Sequence, residues 1–177
     1  MDYIRFYNSP MGEILLRSNG EALTGLYLRG QKYSGEYFSE KQEEKELPVF
    51  DRTSQWLDIY FAGREPDFPP PLCLKGTPFR EEVWKILLRI PYGKTVTYGD
   101  IAREMAGKRG VGKMSAQAVG GAVGHNPVSL IVPCHRVVGA DGSLTGYGGG
   151  IDKKVKLLTL EKADMSGLFV PRKGTAL

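Results

Sequence analysis

Short apolar runs and alternating apolar and polar residues dominate the first thirty positions. They predict strands over residues 3–7, 13–17 and 22–28, where apolar side chains recur with a period near two or in a compact run. A turn is predicted at residues 9–12. Asn19-Gly20 is typical of a tight hairpin because both residues adopt positive φ easily. The opening segment therefore predicts a β-meander.

The pattern then changes to a helical period. Residues 31–47 are polar and charge-rich, which indicates a loop or a short helix. Over residues 49–62 large apolar side chains recur at helical spacing, and Gly63 is a typical helix terminator. Four prolines follow within residues 64–76, and proline this dense favours extended chain without ladder hydrogen bonds. We expect an interdomain linker there.

Capping signals predict three helices in the second half. Thr77-Pro78 suits a helix start, and the apolar stripe that follows ends at Pro91. Thr97 with an acidic residue three positions on predicts a capping box, and Ser115 predicts the cap of a short helix over residues 116–123. Two short helices joined by a turn are typical of a helix-turn-helix unit, although a plain helical pair in a core fits equally well.

Charge divides along the chain at the same place. Residues 1–74 hold 8 Lys and Arg against 12 Asp and Glu, whereas residues 75–177 hold 16 against 8, so the net charges are −4 and +8. A basic half beside an acidic half is compatible with a polyanion partner and also with ordinary solvated surface. We expect an N-terminal domain over 1–63, the linker over 64–76, a C-terminal domain over 77–165 and a tail over 166–177.

The helix after Ser115 is unusually rich in small residues. Gly120 and Gly121 lie in its interior, where a glycine costs roughly 1 kcal/mol relative to alanine. A helix tolerates that cost where another surface approaches its backbone, such as a neighbouring helix or the wall of a DNA minor groove. Both explanations fit the sequence.

The remaining composition excludes several classes. Cys73 and Cys134, taken with His125 and His135, lack the paired spacing of a structural zinc site, and a disulfide framework would carry more cysteines. We therefore expect a reducing compartment, one or both thiols free, and no metal. No apolar run approaches the roughly 20 residues that span a bilayer, and residues 1–10 resemble no export signal. The expected compartment is the cytoplasm, or the nucleus if the source is eukaryotic.

The stretch Pro133-Cys134-His135 carries the candidate chemistry. It follows residues 128–132, which read as a short buried strand. A thiol in apolar surroundings is normally inert, but a neighbouring imidazole can activate it. Adjacent residues on an extended strand point to opposite faces. Either Pro133 bends the chain, or a water molecule bridges the two side chains.

Residues 77–162 carry an ordered set of short motifs: Pro91-Tyr92-Gly93, Thr97-Tyr98-Gly99, Ala118-Val119-Gly120, Asn126-Pro127, Ile131 to Val138, Gly146 to Gly150, Lys154, Leu157-Leu158 and Glu161. In order and spacing this set resembles the O6-alkylguanine-DNA alkyltransferases, also called methylated-DNA–protein-cysteine methyltransferases. The resemblance covers most of residues 77–162, and residues 1–76 match only in general pattern. It implies an α/β fold, with a small ribonuclease-H-like N-terminal domain and a mainly helical C-terminal domain containing a winged helix-turn-helix.

The resemblance also implies residue roles. Cys134 matches the alkyl acceptor, His135 the base that deprotonates it through a water molecule, and Glu161 the carboxylate that orients the imidazole. Asn126 matches a brace for the turn, and Tyr98 the hydroxyl that helps guanine leave. The base pocket and DNA contacts fall on Tyr147, Gly148, Ser115, Gln117, Ala118, Gly121 and Arg136. The implied partner is double-stranded DNA carrying alkylated guanine, bound by a monomer without a cofactor.

One position departs from the family pattern. Many members carry arginine where this chain has Gln117, at the position that fills the gap left by an extruded base. Two other functions stay open at this stage: a thiol hydrolase, and a non-catalytic reader of alkylated DNA. Readers that resemble the family carry tryptophan where this chain has Cys134, so the cysteine favours alkyl transfer. The implied substrate is O6-alkylguanine, with O4-alkylthymine as a second candidate.

Overall fold

The computed structural model describes residues 1–31 and 41–172, and the chain forms two compact units. Unit 1 contains Met1–Lys75 together with Pro127–Ile131. Unit 2 contains Gly76–Asn126 and the chain from Val132 onward. The chain therefore leaves unit 2 for five residues and then returns to it.

A four-stranded sheet forms the body of unit 1. The three N-terminal strands form the predicted antiparallel meander, and a fourth strand pairs in parallel with the first, in the order β3-β2-β1-β4. Helix α1 packs against β1, β2 and β3. The bounds are β1 Asp2–Ser9, β2 Gly12–Ser18, β3 Leu23–Leu28, β4 Gln42–Glu44 and α1 Pro48–Phe61.

Two local predictions in unit 1 were wrong. Only Gly20 of the Asn19-Gly20 pair has positive φ, because the hairpin is wider than predicted and the Asn19 side chain accepts from the N–H groups of Glu21 and Ala22. Strand β4 lies in the polar stretch that was predicted as a loop or short helix. Its residues are polar, as edge strands often are. Residues 32–40 of that stretch lie outside the described residues.

The proline-rich stretch is not a free linker. The N–H of Leu23 donates to Pro71 O at 2.7 Å, and the N–H of Cys73 donates to Leu23 O at 2.9 Å. These bonds attach the end of the stretch to β3, and unit 1 extends to Lys75. Proline lacks an N–H but keeps its carbonyl, so Pro71 can still accept a bond from the sheet.

The predicted strand over residues 128–132 is also absent. Leu26 donates to Pro127 O and accepts from Ser129 N, but Leu130 has φ 70° and the chain turns instead of continuing. A leucine with positive φ is sterically costly, by about 1–2 kcal/mol. Leu130 is fully buried, which offsets that cost. The apolar character of the stretch reflects burial rather than extended chain.

The described part of unit 2 consists of four α-helices, a short 3-10 turn and a two-stranded sheet. The predicted caps are confirmed: Thr77 accepts from Arg80 N, Thr97 and Asp100 form a capping box, and Ser115 accepts from Ala118 N. The elements are α2 Pro78–Leu87, β5 Val96–Thr97, α3 Tyr98–Arg109, α4 Ala116–Gly124, β6 Val137–Val138 and α5 Ile151–Leu160.

The two interior glycines of α4 have different surroundings. Gly120 is buried, and two residues further along the helix Ala122 O accepts from the buried indole N–H of Trp84 at 2.8 Å. Gly121 is half-buried, and a Cβ built on it would meet no atom within 4 Å. One glycine thus permits internal packing and the other leaves an open face.

The chain after α5 pairs with the loop that precedes that helix. Leu144 N donates to Phe169 O at 2.9 Å, and Phe169 N donates to Gly142 O at 3.1 Å. The start of the segment predicted as a tail is therefore part of unit 2. Within the described residues, no helix is long and apolar enough to cross a membrane.

Replacing Gly142 with alanine should destabilise unit 2 more than replacing Gly150. Both have positive φ, +92° and +100°, but a Cβ on Gly142 would lie 1.9 Å from Gly167 O whereas one on Gly150 meets nothing within 4 Å. Gly150→Ala should cost about 1–2 kcal/mol of backbone strain. Gly142→Ala should cost about 1–3 kcal/mol more through overpacking. Urea unfolding measures both, and equal losses would contradict the contact with Gly167.

Candidate active site

Cys134 lies on a tight turn rather than on a strand. Pro133 has φ −83° and ψ 65°, and the N–H of Cys134 donates to Val132 O at 2.8 Å, which is the geometry of an inverse γ-turn. A 3-10 turn over Cys134–Arg136 follows. The bend at Pro133 was one of the two arrangements that the sequence allowed. It removes the opposite-face geometry that an extended strand would impose on Cys134 and His135.

His135 and Glu161 form a buried pair. Glu161 is the residue that caps the C-terminus of α5, and its Oε2 lies 2.5 Å from Nε2 of His135. Both side chains are inaccessible to solvent. An ionised carboxylate only accepts hydrogen bonds, so the imidazole carries a proton on Nε2. In the neutral ring Nδ1 then holds the lone pair and is the atom that can take up a further proton.

The charge states of this pair follow from burial and from its partners. Burial lowers the pKa of His135, Glu161 opposes that shift, and the charges of Arg136 and Lys154 lower the pKa further. Burial alone would raise the pKa of Glu161, but His135 and then Arg136 hold that pKa well below its usual range. At neutral pH the pair therefore consists of an anionic Glu161 and a neutral His135.

The thiol of Cys134 is protonated at rest. Burial raises its pKa, and three influences partly offset the rise: the side chain of Asn126, the charge of Lys154 and the N–H groups of Cys134 and His135. The side chain is 7% exposed. A nucleophilic Cys134 consequently needs a base that removes its proton as it reacts.

Asn126 connects the residues on either side of the segment Pro127–Ile131, which belongs to unit 1. It follows α4, and its Nδ2 donates to Val132 O at 2.7 Å. Asn126 is buried, and the same side chain interacts with the thiol of Cys134. The bond fixes the chain that enters the bend at Pro133, so Asn126 sets the position of the turn that carries the cysteine.

Two of the predicted site tyrosines lie close enough to Cys134 for a thiolate there to raise their pKa values. The hydroxyl of Tyr98 is buried and donates to Thr145 O at 3.1 Å. Burial and then Cys134 raise the pKa of Tyr98, and the same causes with Glu161 raise the pKa of Tyr147. Both hydroxyls therefore keep their protons across the physiological range. A Cβ on Gly146 would lie 2.6 Å from the Tyr98 hydroxyl oxygen, which explains glycine at that position.

Tyr147 and Gly148 line the same region. The Tyr147 ring meets the His135 ring edge-on, with centroids 6.5 Å apart, and Gly148 beside it is half-buried. The structure thus brings together Cys134, His135, Asn126, Tyr98, Tyr147 and Glu161.

The predicted contacts on α4 share its outer face. Gln117 and Ala118 are exposed, and Gly121 one turn on leaves open space. Ser115 is exposed as well, but its hydroxyl accepts from Ala118 N at 3.2 Å and so stabilises the helix start. The face presents one long polar side chain, Gln117, among small residues.

The predicted DNA contact of Arg136 is wrong. Its side chain is 8% exposed, its Nε donates to Glu161 Oε1 at 2.7 Å and its Nη1 donates to Ile90 O at 2.8 Å. A guanidinium held in this way by two interior acceptors has little surface with which to contact a nucleic acid. The basic neighbour of the cysteine belongs to the interior of the site.

Lys154 is a site residue that the sequence reasoning did not assign. It is fully buried, and its ammonium donates to Val137 O at 2.5 Å and to Thr145 O at 3.0 Å. Burial lowers the pKa of Lys154 to about 8, and Cys134 opposes that shift. Lys154 lies three and four positions before Leu157 and Leu158, so a lysine at the core-facing position of α5 was the available signal.

No group of three or more His, Cys, Asp or Glu side chains suited to a metal ion occurs within residues 1–31 and 41–172.

Comparison with known proteins assigns the chain to a family. The ribonuclease-like domain of 6-O-methylguanine DNA methyltransferase matches residues 3–74, and the DNA binding domain of 6-O-methylguanine DNA methyltransferase matches residues 78–163. Fold and site define a class that joins a ribonuclease-like sheet domain to a helical domain containing a buried Cys-His-Glu set. The chain belongs to the 6-O-methylguanine DNA methyltransferase family, as the resemblance predicted.

Individual relatives are similar over nearly their whole length. The methylated-DNA–protein-cysteine methyltransferase of Mycobacterium tuberculosis is 45% identical over 163 residues, which cover 92% of this chain and 94% of the relative. The Haemophilus influenzae protein of the same name is 41% identical over 161 residues, covering 90% and 86%. A crystal structure of Mycobacterium tuberculosis OGT in complex with DNA has 44% identity and a TM-score of 0.79, covering 90% and 92%.

Glu161→Gln should remove a contribution to the free energy of unfolding that the native protein loses as the pH falls. The folded pKa of Glu161 lies below its ordinary value of 4.5, so its ionised form contributes stability that is complete above that pH and lost as the pH falls. Between about pH 5 and pH 3 the free energy of unfolding of the native protein should fall more steeply than that of the variant. Urea titrations measure the slopes. The exposed Asp152→Asn variant should keep the native slope, and parallel curves for Glu161→Gln would refute the assignment.

Proposed function

We propose that this protein repairs DNA by moving an alkyl group from O6 of a guanine onto Sγ of Cys134, once per molecule and irreversibly. The observation that carries the proposal is the turn that places Cys134 directly before a buried His135–Glu161 pair. A thiol with a raised pKa beside a neutral imidazole is suited to proton removal during attack. The relatives' names, methylated-DNA–protein-cysteine methyltransferase, specify the same donor and acceptor.

The proton of Cys134 moves to Nδ1 of His135 by way of a water molecule. Nε2 stays hydrogen-bonded to Glu161, whose negative charge stabilises the imidazolium that forms. The sulfur electron pair then forms a bond to the alkyl carbon, and the bond from that carbon to O6 breaks with its electron pair on the guanine oxygen. Attack and departure are in line, as in any direct displacement.

Tyr98 polarises or protonates the departing guanine so that it leaves as a neutral base, and the proton that His135 took from Cys134 replaces any proton that Tyr98 gives up. Its raised pKa keeps the hydroxyl protonated until charge develops on the base, and its bond to Thr145 O is one that a bound base can replace. Tyr147 and Gly148 form the wall against which the base lies. The product is a thioether, which water does not cleave readily, so each molecule reacts once.

Access to the base requires the outer face of α4. Gln117, Ala118 and Gly121 enter the minor groove, where small side chains permit close approach. The alkylated guanine, whose pairing is already weakened, rotates out of the stack at a cost of a few kcal/mol. Gln117 fills the gap and hydrogen-bonds the orphaned cytosine. It contributes no charge, so DNA affinity is lower than with arginine.

The partner is double-stranded DNA carrying alkylated guanine. Thiol, base and carboxylate all come from one chain, so a monomer is sufficient, and the displacement needs no electrons from a cofactor. The relatives from Mycobacterium tuberculosis and Haemophilus influenzae are bacterial proteins, which supports the cytoplasm as the compartment.

Intact-mass spectrometry after mixing with duplex DNA containing O6-methylguanine tests the reaction. We expect a gain of one methylene per molecule, mapped to Cys134 and absent in Cys134→Ala. Cys73→Ala is the matched control and should gain the same mass. DNA binding without a mass change would favour a non-catalytic reader, and repeated turnover on esters would favour a thiol hydrolase.

Gln117→Arg should tighten DNA binding and steepen its salt dependence. An arginine in the gap brings a positive charge among the phosphates, and each phosphate that it neutralises increases the slope of log affinity against log salt by about 0.9. Fluorescence anisotropy with a labelled duplex at several salt concentrations measures the slope, and Gln117→Met is the uncharged control of similar length. Identical slopes for the native and arginine proteins would place residue 117 away from the DNA.

A further inference from the structure

Arg136 is held in the interior by three neighbouring groups. Its Nε donates to Glu161 Oε1, its Nη1 donates to Ile90 O, and its guanidinium carbon lies 5.6 Å from the centre of the Tyr92 ring. A buried charge of this kind is tolerated only when it is paired and hydrogen-bonded. The pairing is with the carboxylate that also contacts His135, so the charge of Arg136 bears directly on the site.

Glu161 divides its two oxygens between different partners. Oε1 accepts from Arg136 Nε at 2.7 Å and from Gly93 N at 3.0 Å, which leaves Oε2 for His135. Two donors on one oxygen fix the rotation of the carboxylate. Gly93 has φ +73°, and a Cβ there would lie 2.9 Å from Glu161 O, so only glycine brings this N–H so close. The turn after α2 and Arg136 thus form a clamp for Glu161.

The clamp determines whether His135 carries one proton or two. The groups that face His135 are Glu161, Arg136, Lys154, Cys134 and the ring of Tyr147. The positive charge of Arg136 compensates the negative charge of Glu161, so the carboxylate does not need a protonated His135. The same positive charge opposes a positive charge on the imidazole. Without that charge the buried carboxylate would draw a proton onto His135, because a buried anion requires a cationic partner.

We propose that Arg136 is a positioning residue for alkyl transfer: it supplies the permanent charge that pairs with Glu161, so that His135 stays neutral and available as the base for Cys134. This inference rests on the proposed function. It makes Arg136 the residue that sets the pH range in which the protein reacts. Arg136 does not touch the base or the alkyl group.

Single-turnover rates of methyl transfer from O6-methylguanine duplex DNA, measured against pH, test the inference. Arg136→Gln keeps a donor but loses the charge, so the acid limb of the profile should move up by about one pH unit, a tenfold lower rate on that limb. Arg136→Lys keeps the charge but cannot reach Glu161 and Ile90 together, so its limb should stay in place while the plateau rate falls. Arg89→Gln, which breaks an exposed ion pair with Glu104, should leave the profile unchanged.

A folded Arg136→Gln protein with the native midpoint would show that Arg136 is structural only and would overturn the inference. If that variant does not fold, the lysine variant decides: a reduced plateau with the native midpoint supports the clamp, and a native plateau overturns it. Failure of the native protein to transfer methyl to Cys134 would instead reject the proposed function. The two failures are therefore distinguishable.

Discussion

The site depends on one constraint, which is that a buried carboxylate must be surrounded by donors. Glu161 is 2% exposed. Its oxygens accept from the side chains of His135 and Arg136, both on the cysteine turn, and from the backbone N–H of Gly93 in the turn after α2. Loss of any donor leaves a desolvated charge partly uncompensated, which costs several kcal/mol. The geometry of three separate chain segments is thereby tied to one residue.

The same constraint explains the division of chemical roles. Because Arg136 pairs with Glu161, His135 can stay neutral beside the carboxylate, and the neutral ring then has its lone pair on Nδ1. Burial raises the pKa of Cys134, so its thiol is protonated at rest. Lys154 adds a second interior cation, which holds two backbone carbonyls and lies within the electrostatic range of the thiol.

Local signals predicted most of the fold. Caps at Thr77, Thr97 and Ser115 operate through short-range hydrogen bonds, so the sequence alone located the starts of three helices. The meander followed from strand periodicity and turn residues. The motif resemblance identified the cysteine, the histidine and the carboxylate, which the fold brings together from positions 26 and 27 residues apart.

Long-range effects account for what the sequence did not reveal. Leu130 adopts positive φ inside an apolar stretch, and β4 is polar because it pairs at the sheet edge, so neither shows a local pattern. The family resemblance led us to predict Arg136 as a DNA contact. Its true partners, Glu161 and Ile90, lie 25 and 46 residues away and could not be inferred from spacing.

The central claim is that His135 is neutral in the resting protein, with its proton on Nε2 facing an anionic Glu161. Nitrogen-15 NMR of histidine-labelled protein at neutral pH distinguishes the two ring nitrogens and the charged ring directly. The account predicts one protonated and one unprotonated nitrogen for His135, with the Nε2 proton in a strong hydrogen bond. Two protonated nitrogens at neutral pH would mean a resting imidazolium, which would contradict a role for His135 as the base.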